Sequence, residues 1–151
     1  MISGIPNNYD ELKKQANNKA NWRLRKQAIE ELGKYDDKRV EDVLWYRMMN
    51  DLVYTVVQEA FLQLQKRNAK NKNGQPVRLP KKPKGNLIKG YRKDLAKVKN
   101  SLPTNHKFED FKYEVKKRKP VIYDTYEGDK KEKFDNWLEN VWKSLPKKVS
   151  P

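Results

Sequence analysis

The segment LGKYDDKRVEDVLWYRMMNDLVYTVVQEAFLQL, residues 32–64, begins and ends with a leucine, and those two leucines occupy equivalent positions of an internal repeat. In both copies an apolar residue, an Ala and a Leu follow one another at intervals of four residues. The aligned pairs, 32 positions apart, are Leu24 with Val56, Ala28 with Ala60, and Leu32 with Leu64. Residues four apart lie on the same helical face. The repeat therefore predicts two helices with matching apolar stripes, in which the small Ala allows a neighbouring helix to approach closely.

The residues between these helices carry start and stop signals. Gly33 suits a helix C-terminus, and either Asp36 or Asp37 can cap the helix that follows. Asp51 is a candidate N-cap for a helix from Leu52 to about Lys66. A further helix is expected upstream, over residues 8–16. The residues expected to face inward include Tyr9, Leu12, Ala16, Val40, Val43, Leu44, Met48, Val53, Val57 and Phe61.

Over residues 20–66 this pattern resembles HEAT repeats of the short bacterial kind. The resemblance rests on LRKQAIEELG, on KRVEDVL and on the Asp, Val, Ala and Leu of the second copy. It implies stacked antiparallel helix pairs, and HEAT-like solenoids are usually scaffolds that bind protein or nucleic acid. Some related bacterial solenoids repair alkylated DNA, but no matching catalytic context is present in this chain. Two units are also fewer than a solenoid usually needs, so another part of the chain is expected to cover the open end.

The chain departs from the HEAT pattern at two positions. In the family, an Asp and an Arg of each repeat form a ladder between successive repeats. Lys19 stands at the position equivalent to Asp51, and Val57 stands where the second unit would have its Arg. We therefore expect the ladder to be broken in this protein.

Composition limits the class of protein. Of the 151 residues, 36% are hydrophobic and 36% charged, and aromatic residues make up 11%, which indicates modest packed cores with a highly charged surface. The chain has no Cys, which excludes disulfides and thiolate metal sites. No segment has the length or composition of a membrane span, and MISGIPNNYDEL does not read as a signal peptide. These features predict a cytoplasmic protein without membrane partners.

The positive charge is unevenly distributed. The formal net charge is +15; residues 1–67 carry 12 basic and 10 acidic side chains, a net of +2, whereas residues 68–151 carry 23 and 10, a net of +13. No acidic residue occurs between Glu59 and Asp94. The Pro-rich part of this interval, residues 68–85, is expected to be an extended or mobile basic connector between a helical region at 1–67 and a C-terminal unit at 86–151.

Basic runs of this kind favour salt-sensitive contacts with phosphates, although a solvated linker would have the same composition. A second cluster follows at residues 116–119, where a helix end is expected. The candidate nucleic-acid-binding residues are Lys66, Arg67, Lys70, Lys72, Arg78, Lys81, Lys82, Lys84, Lys89, Arg92, Lys93, Lys116, Lys117, Arg118 and Lys119.

The C-terminal half is expected to contain four helices. Their spacing predicts them at about residues 86–99, 106–119, 120–128 (ended by Gly128) and 129–146. The last has the strongest amphipathic pattern, and its Trp137 and Trp142 are expected to serve packing rather than base stacking. The two central helices could form a helix-turn-helix-like pair, although VIYDTYEGD is apolar and acidic and therefore poor for a helix that enters the major groove.

The sequence offers little that could support catalysis. His106 is the only His, and a lone His supports neither a zinc site nor a His-assisted nucleophile. Gly85 and Gly90 have phosphate-loop spacing, but Tyr91 and Arg92 replace the required Lys and Ser or Thr. We therefore expect neither an enzyme nor a protein with a metal or cofactor.

Together these observations predict an all-α protein of HEAT-like antiparallel helix pairs followed by a C-terminal unit of three to four short helices. The leading functional hypothesis is a non-enzymatic nucleic-acid-binding protein, whether of DNA or RNA, that contacts phosphates through the connector and basic helix faces. Two alternatives remain open: a scaffold for an acidic protein partner, and a small subunit of an assembly that docks through its last helix. The oligomeric state is not predicted.

Overall fold

The computed structural model describes residues 1–146 and confirms the all-α prediction. The chain divides into two compact units, residues 1–83 and residues 84 onward. The first unit contains α1 (Tyr9–Ala16), α2 (Trp22–Leu32), α3 (Lys38–Asn50) and α4 (Tyr54–Lys66). Two short strands, β1 (Ile2–Ser3) and β2 (Tyr35–Asp36), pair in parallel beside them.

The apolar stripes of the internal repeat form the core of the first unit. Helix α2 packs against both α1 and α4, and α4 packs against α3. Five of the six aligned positions are fully buried, namely Ala28, Leu32, Val56, Ala60 and Leu64, whereas Leu24 is half-buried. The four-residue spacing therefore identified the packed faces correctly, because those faces are where the helices meet.

Asp51 has a different role from the one predicted. Helix α4 begins at Tyr54 rather than Leu52, and its N-cap is Val53. The Asp51 carboxylate accepts a hydrogen bond of 2.9 Å from the Val53 amide, but it also forms a paired contact with Arg25 of α2. Its side chain is 1% exposed. The predicted cap at Asp37 is confirmed, since its carboxylate accepts from the Arg39 amide at the start of α3.

The Arg25–Asp51 ion pair joins the two copies of the repeat. The Arg25 guanidinium donates from Nε at 2.8 Å and from Nη2 at 3.0 Å to the two carboxylate oxygens of Asp51. Arg47 adds a third contact at 3.1 Å, and Arg25 Nη1 also donates to the Asn18 carbonyl at 2.8 Å. The Arg of the first copy is thus bonded directly to the Asp of the second.

Gly33 ends α2, as predicted, but not through left-handed backbone geometry. Its φ is −62° and its ψ is −13°, values that any residue adopts. What requires glycine is the close approach of the Gln63 side chain, because a Cβ at position 33 would overlap the Gln63 amide group. That amide is held in place by a hydrogen bond of 2.8 Å from Nε2 to Glu59.

Gly33→Ala is therefore expected to lower the free energy of unfolding by about 1 to 3 kcal/mol, as overpacking of a well-packed site usually does. In a Gln63→Ala background the clash is absent, and Gly33→Ala should become neutral or stabilising by about 0.5 kcal/mol through the lower entropy of the unfolded chain. Urea unfolding of the wild type, the two single variants and the double variant measures both effects. An equal loss in both backgrounds would place the strain somewhere other than at Gln63.

The segment after α4, part of the predicted extended or mobile connector, packs on the first unit. Ala69 is buried, and Val77 packs against the core of the helices. The Val77 amide donates to the Ala69 carbonyl at 3.1 Å across a tight turn. Farther along, the Tyr54 hydroxyl donates to the Pro80 carbonyl at 2.7 Å. The chain is thus extended, as its prolines require, but attached as far as residue 80.

The second unit contains α5 (Tyr91–Ser101), α6 (Phe108–Arg118), α7 (Pro120–Lys130) and α8 (Phe134–Ser144), with a 3₁₀ turn at Lys131–Lys133. Helix α5 begins five residues later than predicted. Gly85 and Gly90 have φ values of +85° and +78°, which are incompatible with a continuous right-handed helix. Helix α7 continues past Gly128, contrary to prediction, and the break comes at Lys131, whose φ is +54°.

Helices α6 and α7 do not form a helix-turn-helix arrangement. Lys119 alone separates them, whereas that motif needs a turn of three or four residues. Asp124 and Thr125 of α7 are buried, so this part of the helix faces its own unit.

Aromatic side chains dominate the second core, and both predicted Trp residues pack there. The Trp137 ring stacks on Tyr126 with centroids 4.6 Å apart, and Trp142 lies 5.7 Å from Phe108. The remaining stripe of α8 is buried, at Phe134, Leu138, Val141 and Leu145. No large apolar residue of α8 is exposed. The alternative of an assembly subunit that docks through its last helix requires an exposed apolar face there.

Candidate nucleic-acid interface

The fifteen candidate cations belong to both units. Seven lie in the first unit, on the last turn of α4 and on the extended segment after it, and eight lie in the second unit, around α5 and the end of α6. Thirteen are exposed, and only Arg67 and Lys119 are half-buried. Most of the predicted residues are therefore accessible to an anionic ligand.

Arg67 is held by the protein itself. Its guanidinium donates to the Gly33 carbonyl at 3.2 Å and to the Gln63 carbonyl at 3.3 Å. Burial lowers the pKa of this guanidinium, against weaker opposing effects of Glu41 and Asp36. These contacts hold the Arg67 side chain against the C-terminal end of α2 and the last turn of α4.

Lys70 and Lys72 line an open groove beside α3. Its other walls include Trp45 and Met49, whose side chain is 63% exposed. The two carboxylates of this groove are already engaged, since Glu41 accepts from Trp45 Nε1 at 3.3 Å and Asp42 pairs with Lys38 at 3.1 Å. Neither Lys70 nor Lys72 has an ion pair within residues 1–146, so both ammonium groups are available.

The run from Arg78 to Lys84 lies fully on the surface. Arg78, Lys81, Lys82 and Lys84 are all exposed, and the contact between Tyr54 and Pro80 fixes the backbone in their midst. A backbone held at Pro80 loses less conformational entropy than a free chain would when the cations beside it bind a ligand.

In the second unit, short-range contacts hold the basic end of α6 against α5. Lys119 lies 3.9 Å from Asp94, and Arg118 Nη1 donates to the Ser101 hydroxyl. Lys116 Nζ lies 5.5 Å from the centre of the Tyr123 ring, whereas Lys117 is exposed and has no ion pair in the described part of the chain. Positive charge at a helix C-terminus is also favoured by the helix dipole.

Two features of this unit were missed in the sequence. Lys99 is buried and donates to the last carbonyls of α8, at 2.5 Å to Trp142 and 2.9 Å to Leu145. The sequence did carry an indication that Lys99 is buried, since it lies four residues after Leu95 and therefore on the apolar stripe of the helix. His106 accepts from Trp142 Nε1 at 2.9 Å through Nε2, while Nδ1 lies 2.6 Å from the Pro103 carbonyl. No sequence pattern indicated that pairing.

Other kinds of site find no support among residues 1–146. Within that range, no cluster of three or more His, Asp or Glu side chains is suitable for a metal ion. None of the helices there is both long enough and apolar enough to cross a membrane.

The arrangement thus defines a class: an all-α protein with two helical units and a large excess of exposed cations. Comparison of the chain with protein-family models, with curated proteins and with solved structures gave no match.

Proposed function

We propose that this protein binds nucleic acid through its phosphates, without enzymatic activity, and that it does so in the cytoplasm. The observation that carries the proposal is the interval between Glu59 and Asp94, which contains eleven cations and no acidic residue. Ten of these eleven are exposed, and the contacts of Val77 and Pro80 hold much of the segment in place.

Phosphate binding accounts for this distribution better than solubility does. Each Lys or Arg that meets a phosphate releases condensed counterions, which makes a cluster of cations an effective binding surface at moderate salt. Solubility alone would be served by dispersed charge, whereas residues 68–151 carry a net +13 and residues 1–67 only +2. Phosphate contacts position a ligand without reading its sequence, so binding should be largely independent of sequence.

A second function is favoured by the groove beside α3. Trp45 and Met49 offer apolar contacts there, and the available ammonium groups of Lys70 and Lys72 complement negative charge. This combination suits an acidic segment of another protein. It also agrees with a HEAT-like scaffold, since the first unit consists of packed helix pairs joined by the Arg25–Asp51 ion pair.

A fluorescence-anisotropy titration tests the leading proposal. Labelled duplex DNA, single-stranded DNA and RNA of equal length are titrated at several salt concentrations. We expect saturable binding that weakens linearly on a log–log plot of affinity against salt, with a slope of about −0.9 per phosphate contact for duplex DNA. Absence of binding at low salt to all three would overturn the proposal and favour an acidic protein partner.

A further inference from the structure

Tyr113 is an exposed aromatic residue on the basic helix of the second unit. It lies in the middle of α6, and its side chain is 66% exposed, more than any other aromatic side chain among residues 1–146. The other aromatic residues of this unit pack in its core or at the edge of it. A ring as exposed as this can contact a ligand.

The Tyr113 ring borders an open groove of about 610 Å³ between α6 and the loop that precedes it. Pro103, Asn105 and Lys107 contribute from the loop, and Glu114 contributes from the helix. The Asp110 carboxylate, which also lines the groove, is engaged at the helix start, where it accepts from the Lys107 amide at 2.9 Å. The groove therefore combines an aromatic ring with hydrogen-bonding groups.

Cations lie on both sides of the ring along the helix. Lys107 precedes α6 and lines the groove, and Lys117 lies one turn beyond Tyr113, four residues on, and therefore on the same face. Ten residues of helix separate the two lysines, which corresponds to about 15 Å at 1.5 Å per residue. Glu109 and Asp110 lie between Lys107 and the ring, and the Asp110 carboxylate is occupied by the Lys107 amide, so the cations that can meet phosphates are at the two ends of this stretch.

We infer that the groove binds an unpaired nucleobase of a single-stranded nucleic acid, stacked on Tyr113, with the neighbouring phosphates at Lys107 and Lys117. This inference rests on the proposed function and specifies its substrate class. In a duplex the base faces are occupied by neighbouring bases, whereas an unpaired base can stack on an aromatic side chain. Glu114 and Asn105 line the groove and can bond the base edge, since a carboxylate accepts from amino or ring N–H groups, including N3–H of thymine, and an amide both donates and accepts.

Tyr113→Ala in the full chain tests the inference, with labelled oligothymidine and a duplex of the same length as probes. The variant should bind the single strand roughly fivefold to a hundredfold more weakly, the range observed when one base–aromatic contact is removed. Duplex binding, which depends on phosphates, should be unchanged. Tyr113→Phe keeps the ring and should bind the single strand like the wild type.

Tyr46→Ala is the matched control, because Tyr46 is also an exposed tyrosine at 55%, but it lies on α3 of the first unit with the Arg47 guanidinium 4.9 Å from its ring centre. This variant should retain single-strand binding. If Tyr113→Ala leaves single-strand binding unchanged, or weakens single strand and duplex equally, the inference is wrong while phosphate binding stands. Failure of the wild type to bind either probe would instead overturn the proposed function itself, and the inference with it.

Discussion

Replacement of Asp51 with asparagine is expected to lower the free energy of unfolding of the first unit by about 3 to 5 kcal/mol, the usual effect of removing one partner of a buried ion pair. Arg25 and Asp51 are 5% and 1% exposed at their side chains, so water cannot replace the lost contact. Asparagine preserves the volume but removes the charge, which leaves the Arg25 guanidinium buried without its counter-ion. Arg47, at 3.1 Å from the same carboxylate, loses its partner as well.

Urea unfolding of the full chain, followed by circular dichroism, measures this effect. Asp37→Asn serves as the control, because Asp37 also caps a helix and pairs with an arginine, Arg39, whose side chain is 60% exposed. Hydrogen bonds from Arg39 lower the pKa of the Asp37 carboxyl, but solvent competes for this pair, so Asp37→Asn should destabilise the protein far less than Asp51→Asn. If the two variants lost the same free energy of unfolding, the buried pair would have no greater effect on stability than the exposed one.

The second large effect is expected on binding. Lys81, Lys82 and Lys84, all exposed, are changed together to glutamine. If each lysine contacts one phosphate, the log–log salt slope for duplex DNA should become shallower by about 2.7, and the affinity near 0.1 M salt should fall by about two to three orders of magnitude. The same titrations that test the proposed function provide both values.

A matched triple variant separates a local site from an effect of overall charge. Lys13, Lys14 and Lys19 are also exposed, and their replacement by glutamine removes the same three charges from a region outside the candidate interface. This variant should bind nearly as tightly as the wild type. An equal loss in both triple variants would mean that net charge, rather than the segment around residues 78–84, determines binding.

Sequence reasoning succeeded where a feature depends on local periodicity. The helices around Ala28 and Ala60 and the aromatic packing of Trp137 follow from apolar residues at intervals of three and four, and the structure contains all of them. The cap at Asp37 is equally local, since the carboxylate bonds an amide two residues ahead.

Sequence reasoning was insufficient where a side chain bonds to a residue far away in the sequence. Asp51 was predicted as a cap because it precedes a helix, but its main partner, Arg25, lies 26 residues earlier. The bond from Arg67 to the Gly33 carbonyl, 34 residues away, was likewise not foreseen, and the prediction that Arg67 contacts phosphate remains open. The same limit applies to the candidate site. Its cations could be predicted from their charge, but the exposure of Tyr113 could not, because it depends on how α6 packs.

The spans of the long-range bonds also bear on the order in which the chain can fold during synthesis. The bonds from Arg25 to Asp51 and from Tyr54 to Pro80 both lie within the first 83 residues. The second unit instead bonds Lys99 to the carbonyl of Leu145, 46 residues later. During synthesis on the ribosome, the bonding partners named for the amino-terminal unit are therefore present before Leu145 is made, and domains generally fold as units in that order.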